Sequence, residues 1–261
     1  MDCTFIGRQD GRIVLYRQHF ACISLSRFKK NELKPWKVEG WVIPPGQNCE
    51  FVAHMEQVLD VYKRPYDEDY PVVCMDESPQ QLIEDVQIEE MKPGKNARTD
   101  YEYIRHGVAN IFMANEPLSG KRFVEITEQK TKKDWANFIK NFVDKNYSKA
   151  KKITLVMDNF KTHTIGAFYE TFQPEEAKRL VDRFEFVFTP KHGSWLNTAE
   201  IELRVLSGQC LNRHIHTIEK MQKEVKAWQK SRYMENCKIN WQFTTKDTRI
   251  KLKRLYPSFD V

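Results

Sequence analysis

The chain of 261 residues has no long apolar run, no paired cysteines and no strong excess of either charge. No stretch approaches the roughly 18 consecutive apolar residues that a membrane helix needs, and the first thirty residues lack the uninterrupted apolar core of a secretion signal. A helical membrane protein is excluded, and a cytoplasmic location is expected. Cys3, Cys22, Cys49, Cys74, Cys210 and Cys237 contain no C-x-x-C pair; His214 follows Cys210 closely, but no second ligand pair accompanies it. Neither a structural zinc nor a disulfide framework is expected, and Cys74 and Cys210, set among apolar residues, read as small buried thiols. Forty-two basic against 36 acidic residues leave a net charge of +6, which permits nucleic-acid binding without demanding it. Residues 1–29 show no clear period and stay unassigned.

What the chain does have is a pair of apolar runs that each end on an aspartate. Tyr70-Pro-Val-Val-Cys-Met-Asp76 and Ile153-Thr-Leu-Val-Met-Asp158 are near-continuously apolar, as strands buried on both faces are. In open α/β sheets the ligand crevice lies beyond the carboxyl ends of such strands. A third carboxylate, Glu200, follows the turn-rich Thr189-Pro-Lys-His-Gly-Ser-Trp-Leu-Asn-Thr-Ala segment and opens a helical stretch. Taken singly, each acid reads equally well as a turn or helix cap. Together, three hard anions on separate elements suit a pair of Mg²⁺ or Mn²⁺ ions that clamp the attacking and leaving oxygens of a displacement at phosphorus. Nucleic acid becomes the leading substrate class.

The remaining pattern supplies a frame for these acids. Phe51, Val52, Met55, Val58, Leu59 and Tyr62 keep helical spacing behind Asn48, a capping residue. Glu84 to Asp100 is polar and reads as a surface loop. Tyr103–Ala114 and Arg122–Thr127 flank the turn residues Asn115–Gly120 and read as a hairpin. Thr131 to Asp134 is a capping-box variant that opens a helix with Trp135, Phe138, Ile139, Phe142 and Val143 on one face. The next strand carries Asp158, so strand, helix and strand make a parallel crossover. A helix over Gln173–Arg183, a strand over Phe184–Phe188 and a packing helix over Thr217–Arg232 complete the reading.

Glu202 competes with Glu200. At about 100° per residue Glu200 shares a side with Leu203, Ser207 and Leu211 and is expected to face the sheet, while Glu202 lies about 200° away with Gln209. Glu200 is preferred, and Glu202→Gln is expected to be tolerated.

Several blocks resemble the IS630 family of insertion-sequence transposases, within the wider Tc1/mariner group: Val72-Val-Cys-Met-Asp-Glu77, Tyr103-Ile-Arg-His-Gly-Val-Ala-Asn-Ile-Phe112, Val156-Met-Asp-Asn159 with His163, and Pro190-Lys-His-Gly-Ser-Trp-Leu-Asn-Thr-Ala-Glu200. The similarity runs from about Lys30 to the carboxyl end, through Trp241-Gln-Phe-Thr-Thr and Arg249 to Pro257. The resemblance implies a DDE catalytic domain with an α/β, RNase H-like fold, a mixed sheet flanked by helices. By motif, Asp76 is its first aspartate, Asp158 its second and Glu200 its glutamate. It further implies two Mg²⁺ or Mn²⁺ ions, DNA partners in the form of transposon ends and target, a homodimer in the active complex, no small-molecule cofactor, and a bacterial, nucleoid-associated protein. Domains are expected at 30–69 (remnant of a helix-turn-helix region, linker and helix), 70–235 (catalytic domain) and 236–261 (basic tail). With most of the recognition helices missing, DNA binding is expected to run mainly through phosphates and to vary little with sequence.

Around the three carboxylates the near-site candidates are Asn159, His163, His192, Trp195 and Asn197. A lone histidine is more often structural than chemical, and Trp195 either packs its loop onto the core or stacks on a base. Candidates for DNA contact are Lys161, Lys191, Arg249, Lys251, Lys253 and Arg254, each of which also reads as a solvated surface charge. Two rival functions stay open: an RNase H-like metal nuclease that does not transpose, and a catalytically silent DNA-binding remnant.

Overall fold

The computed structural model describes residues 43, 44, 46–89, 91–96, 98–158 and 163–258, together with the backbone of 4–9 and 12–17. Contacts divide the chain into two units, Met1–Trp41 and Val42–Val261. In the first, β1 (Thr4–Gln9) pairs antiparallel with β2 (Arg12–Arg17). The intervening sequence Asp10-Gly11 is a two-residue hairpin signal. The helix-turn-helix remnant expected near Ser26–Trp36 lies outside the described residues.

The second unit is built on a five-stranded sheet of order β7-β6-β3-β8-β9. Its strands are β3 (Val72–Asp85), β6 (Tyr103–Glu116), β7 (Lys121–Thr127), β8 (Ile153–Met157) and β9 (Phe184–Phe188). β3, β6 and β7 are antiparallel, while β3, β8 and β9 are parallel. The sheet is therefore mixed, and the parallel half is reached by a crossover through α2 (Lys132–Asn146). Thr131 caps that helix: its hydroxyl accepts from the Asp134 N–H, while the Asp134 carboxylate accepts from the Thr131 N–H at 2.8 Å.

Alternation along the strands sorts side chains onto two covered faces. Val73, Met75, Phe112, Leu155 and Met157 pack with Trp135, Phe138 and Phe142 of α2, and with Phe168 of α3 (Ile165–Thr171) and Leu180 of α4 (Pro174–Asp182). On the other face, Cys74, Val156 and Val187 meet Met55, Val58 and Leu59 of α1 (Cys49–Tyr62). There too, Ile111 and Met113 meet Leu206 of α5 (Thr198–Leu206) and Met221, Val225 and Trp228 of α6 (Ile218–Met234). Cover on both faces explains why the β8 run is apolar but for Thr154. Burying a side chain such as Phe138 contributes about 1.5–3 kcal/mol.

Three expectations change. Asp76 does not end its strand: pairing with β8 stops at Cys74–Val156, but β3 runs on against β6 to Asp85–Tyr103, as a two-stranded ribbon once β7 stops pairing at Asn110–Thr127. Pro79 is tolerated in β3 because only β6 pairs with it at that level. The polar stretch read as a loop carries the end of this ribbon and a short hairpin of β4 (Ile88–Glu89) and β5 (Arg98–Thr99). The carboxyl-terminal segment is not a loose basic tail. Its helix α7 (Thr245–Lys251) has a Thr244–Asp247 capping box, and Trp241, Phe243, Leu252, Leu255 and Tyr256 pack against the α1 cluster.

Candidate active site

The site forms where the parallel half of the sheet gives out. β8 is buried along its whole length and delivers Asp158 just past its end. On β3, successive side chains point to opposite faces, so Asp76 shares a face with Cys74 and Glu77 shares one with Met75. Asp76 Oδ1 accepts the Glu77 N–H at 2.8 Å. Burial, and behind it the charges of Asp158, Glu77 and Glu200, push the Asp76 carboxyl up to about 7, against the lowering effect of that backbone bond. Glu200, in the first turn of α5, is thus electrostatically coupled to Asp76 and lies partly open to solvent.

His163 joins the two strands from the other face. Its ring is buried against Trp135, with centroids 5.5 Å apart. Nδ1 meets Asp158 Oδ1 at 2.7 Å, and Nε2 lies 3.0 Å from Glu77 Oε2. Burial works to lower its pKa, but the two carboxylates outweigh it and hold the ring up to about 9. An imidazolium sitting between two acids anchors Asp158 through one oxygen. Sequence reasoning named His163 but passed over Glu77, although Asp-Glu adjacency in the first motif was a usable signal.

Asn197 is buried and ties α5 to β3 beside Asp76. Its Nδ2 donates to the Met75 carbonyl at 2.9 Å while its Oδ1 accepts the Ala199 N–H at 3.1 Å, capping the helix. Tyr62 reinforces the junction by donating to the Leu196 carbonyl at 2.7 Å. In the loop ahead, His192 is exposed with a positive φ of 65°, Lys191 is exposed, and Trp195 packs toward Phe243 at 6.3 Å. The loop turns tightly at Gly193, whose N–H returns to the Pro190 carbonyl at 2.8 Å. A β-carbon at Gly193 would stand 2.4 Å from Pro190 Cγ. Gly193→Ala is therefore expected to cost about 1–3 kcal/mol of stability through overpacking and to slow any reaction that depends on Glu200. A thermal midpoint equal to that of the native protein would show that the loop has room.

Glu200 does not lie on the inward face of α5, against the helical-wheel expectation. Glu202 is the buried residue, 1% exposed, and it pairs with Arg122. The inward face of α5 is Thr198, Ala199, Glu202 and Leu206. From Ser207 to Leu211 the chain winds in a wider π turn, so Ser207 and Leu211 fall out of the 100° phase assumed for them. Glu202→Gln, expected to be tolerated, instead removes a buried charge partner. Arg249 pairs with Glu56 at 2.9 Å, and the Lys251 ammonium stands 5.5 Å from the Phe243 ring. Lys253 and Arg254 are exposed. Asn159 and Lys161 lie outside the described residues.

Among the described residues no three His, Cys, Asp or Glu side chains are gathered tightly enough to cage a cation unaided. The donor set nonetheless fits a hard divalent ion: Asp76, Asp158 and Glu200 offer oxygens only, and the burial and neighbouring negative charge that raise Asp76 disfavour an anion that a cation would offset.

A mixed sheet in this order, with acids at two adjacent strands and a third on the helix packed over them, defines an RNase H-like domain of the DDE class. Residues 71–222, more than half of the chain, match the DDE superfamily endonuclease family, and the chain belongs to that family. Solved structures similar to it include a Mos1 mariner paired end complex with Mn, at TM-score 0.51 and 16% identity over 82% of this chain and 66% of that one. A pre-cleavage Mos1 transpososome matches at 0.52 and 14% over 91% and 72%. The Mos1 strand transfer complex matches at 0.53 and 14% over 91% and 71%. At these identities the likeness concerns the fold, and the chain spans just under two thirds of the first of these proteins. No curated protein matches the chain. Among the described residues no helix is long and apolar enough to cross a membrane.

Proposed function

We propose that this endonuclease-family chain is the catalytic part of a DNA transposase of the IS630 group among the Tc1/mariner-like elements, cutting DNA at transposon ends and joining those ends to target DNA. The observation that carries the reading is the placement of Asp76 and Asp158 at adjacent parallel strands, with Glu200 in the first turn of the helix that Asn197 ties to β3, in a chain of the DDE endonuclease family. Structures of Mos1 as paired-end and strand transfer complexes, with Mn in one case and Mg in another, support it through the shared fold. Asp76, Asp158 and Glu200 would hold two Mg²⁺ or Mn²⁺ ions. The chemistry such ions supply is activation of water near neutral pH and neutralisation of charge at phosphorus.

The chain's own residues orient that chemistry. His163 holds one oxygen of Asp158 and leaves the other for binding. Asn197 fixes the start of the Glu200 helix against the Asp76 strand. In the first reaction water attacks the phosphorus at a transposon end, the bond to the 3′ oxygen breaks, and a free 3′-hydroxyl leaves. In the second that hydroxyl attacks a target phosphodiester, forming one P–O bond as the target's own breaks. Exposed Lys191, Lys253 and Arg254 would contact phosphates, and a homodimer would pair the two ends, in a bacterial cytoplasm at the nucleoid.

The test incubates the purified chain, in Mn²⁺, with a duplex carrying the terminal repeat that flanks its gene and with a supercoiled target plasmid. Nicked ends bearing 3′-hydroxyls and their covalent joining to plasmid are expected. Cleavage with no joined product would reduce the reading to a nuclease, and the absence of cleavage in both Mn²⁺ and Mg²⁺ would overturn it.

A further inference from the structure

One buried charged pair takes no part in that chemistry. Glu202 lies two residues beyond Glu200, about 200° round the helix. Arg122 of β7 grips it as a fork, Nε to Oε2 at 2.6 Å and Nη2 to Oε1 at 2.7 Å, with both side chains at most 3% exposed. The other Arg122 donors go to the carbonyls of Gly120 at 2.6 Å and Cys237 at 2.8 Å. Arg232 of α6 adds a bond to Glu202 Oε1 at 3.3 Å. Glu202 is thus held from β7 and α6 together, with the Arg122 fork as the shorter and more buried grip.

Stability alone does not explain such a pair, because apolar residues of similar volume commonly replace a buried ion pair at no cost. A bidentate fork supplies a fixed distance and plane instead. The first turn of α5 is secured separately, by Asn197 to the Met75 carbonyl and by Asn115 Nδ2 to Thr198 Oγ1 at 3.2 Å. Apolar packing of Leu206 at the far end limits the roll of the helix about its axis but does not fix it. A second grip on the side remote from Glu200 removes that freedom.

We propose that Arg122 and Glu202 are positioning residues: their fork sets the roll of α5, and with it the direction in which Glu200 presents its carboxylate to Asp76. This rests on the reading of Glu200 as a metal ligand. The experiment measures Mn²⁺ affinity by calorimetry and single-turnover DNA cleavage for the native chain, Arg122→Lys and the double variant Arg122→Met with Glu202→Leu. Each is assayed well below its own unfolding midpoint. The double variant, which keeps the volume filled, is expected to bind Mn²⁺ about 10–100-fold more weakly, as loss of a ligand's supporting shell does. Its kcat should fall by a similar factor with KM for DNA unchanged. Arg122→Lys keeps the charge but not the fork and should fall between the two. If the double variant does not fold, Arg122→Lys carries the test alone. Variants that match the native protein in Mn²⁺ affinity and kcat while differing only in midpoint would overturn the proposal, as would a rise in KM at constant kcat. Glu200→Gln separates the two levels of inference: if it keeps native Mn²⁺ binding and cleavage, the ligand reading itself has failed.

Discussion

Replacing Asp76 by asparagine is expected to abolish strand cleavage and, at the same time, to stabilise the metal-free protein at pH 8. If Asp76 is the metal ligand proposed above, its loss removes several kcal/mol of transition-state stabilisation, a drop of about 10³-fold or more. The stability gain comes from the same charge. Burial and the neighbouring acids lift the Asp76 carboxyl from 3.8 to about 7 in the folded chain, so its ionised form is disfavoured by folding. Its contribution to stability is intact below about pH 4, is lost as the pH rises toward 7, and stays lost above that. Asparagine carries no charge and escapes this penalty, which is on the order of a few kcal/mol. Thermal midpoints in EDTA at pH 4.5 and pH 8 test it: the variant should exceed the native chain at pH 8 and approach it at pH 4.5. Equal midpoints at both would mean that the folded site imposes no charge strain on Asp76.

Arg122→Ala carries the largest expected loss of stability, about 3–5 kcal/mol, because it removes the bidentate partner of buried Glu202 and leaves only the longer Arg232 contact at 3.3 Å. It also frees the carbonyls of Gly120 and Cys237, which Arg122 now satisfies. Urea unfolding should show the midpoint lowered with little change in slope. A loss below about 1 kcal/mol, the ordinary effect of a substitution, would mean that water or Arg232 takes over the vacated position. The pair joins β7 to α5 across 80 positions of sequence, so its breakage should loosen the hairpin and the Glu200 helix together.

Much of the frame was legible because local chemistry and burial agree there. Asn48 and Thr131 cap helices as capping residues do, and the turn residues ahead of Lys121 join β6 to β7 as a hairpin. The run Ile153–Met157 reads as a buried strand because helices cover both of its faces. The segment Tyr169–Ala177, in the 42-position interval between Asp158 and Glu200, has no local signal that sets its geometry. It proves to be the junction of α3 and α4, with Ala177 in the core.

The sequence by itself determined the helix caps, the buried strand runs and the turn of the β6–β7 hairpin, because each depends on residues within a turn or a strand of one another. Only the tertiary structure decided which face of α5 turns inward. Hydropathy marks the buried side of a helix when every inward residue is apolar, and here the inward side carries Glu202, made compatible with burial by an arginine from β7. The bridge from Asp158 through His163 to Glu77 was hidden for the same reason. A charge can be buried when a partner arrives from a distant segment, and no local pattern records that partner's arrival.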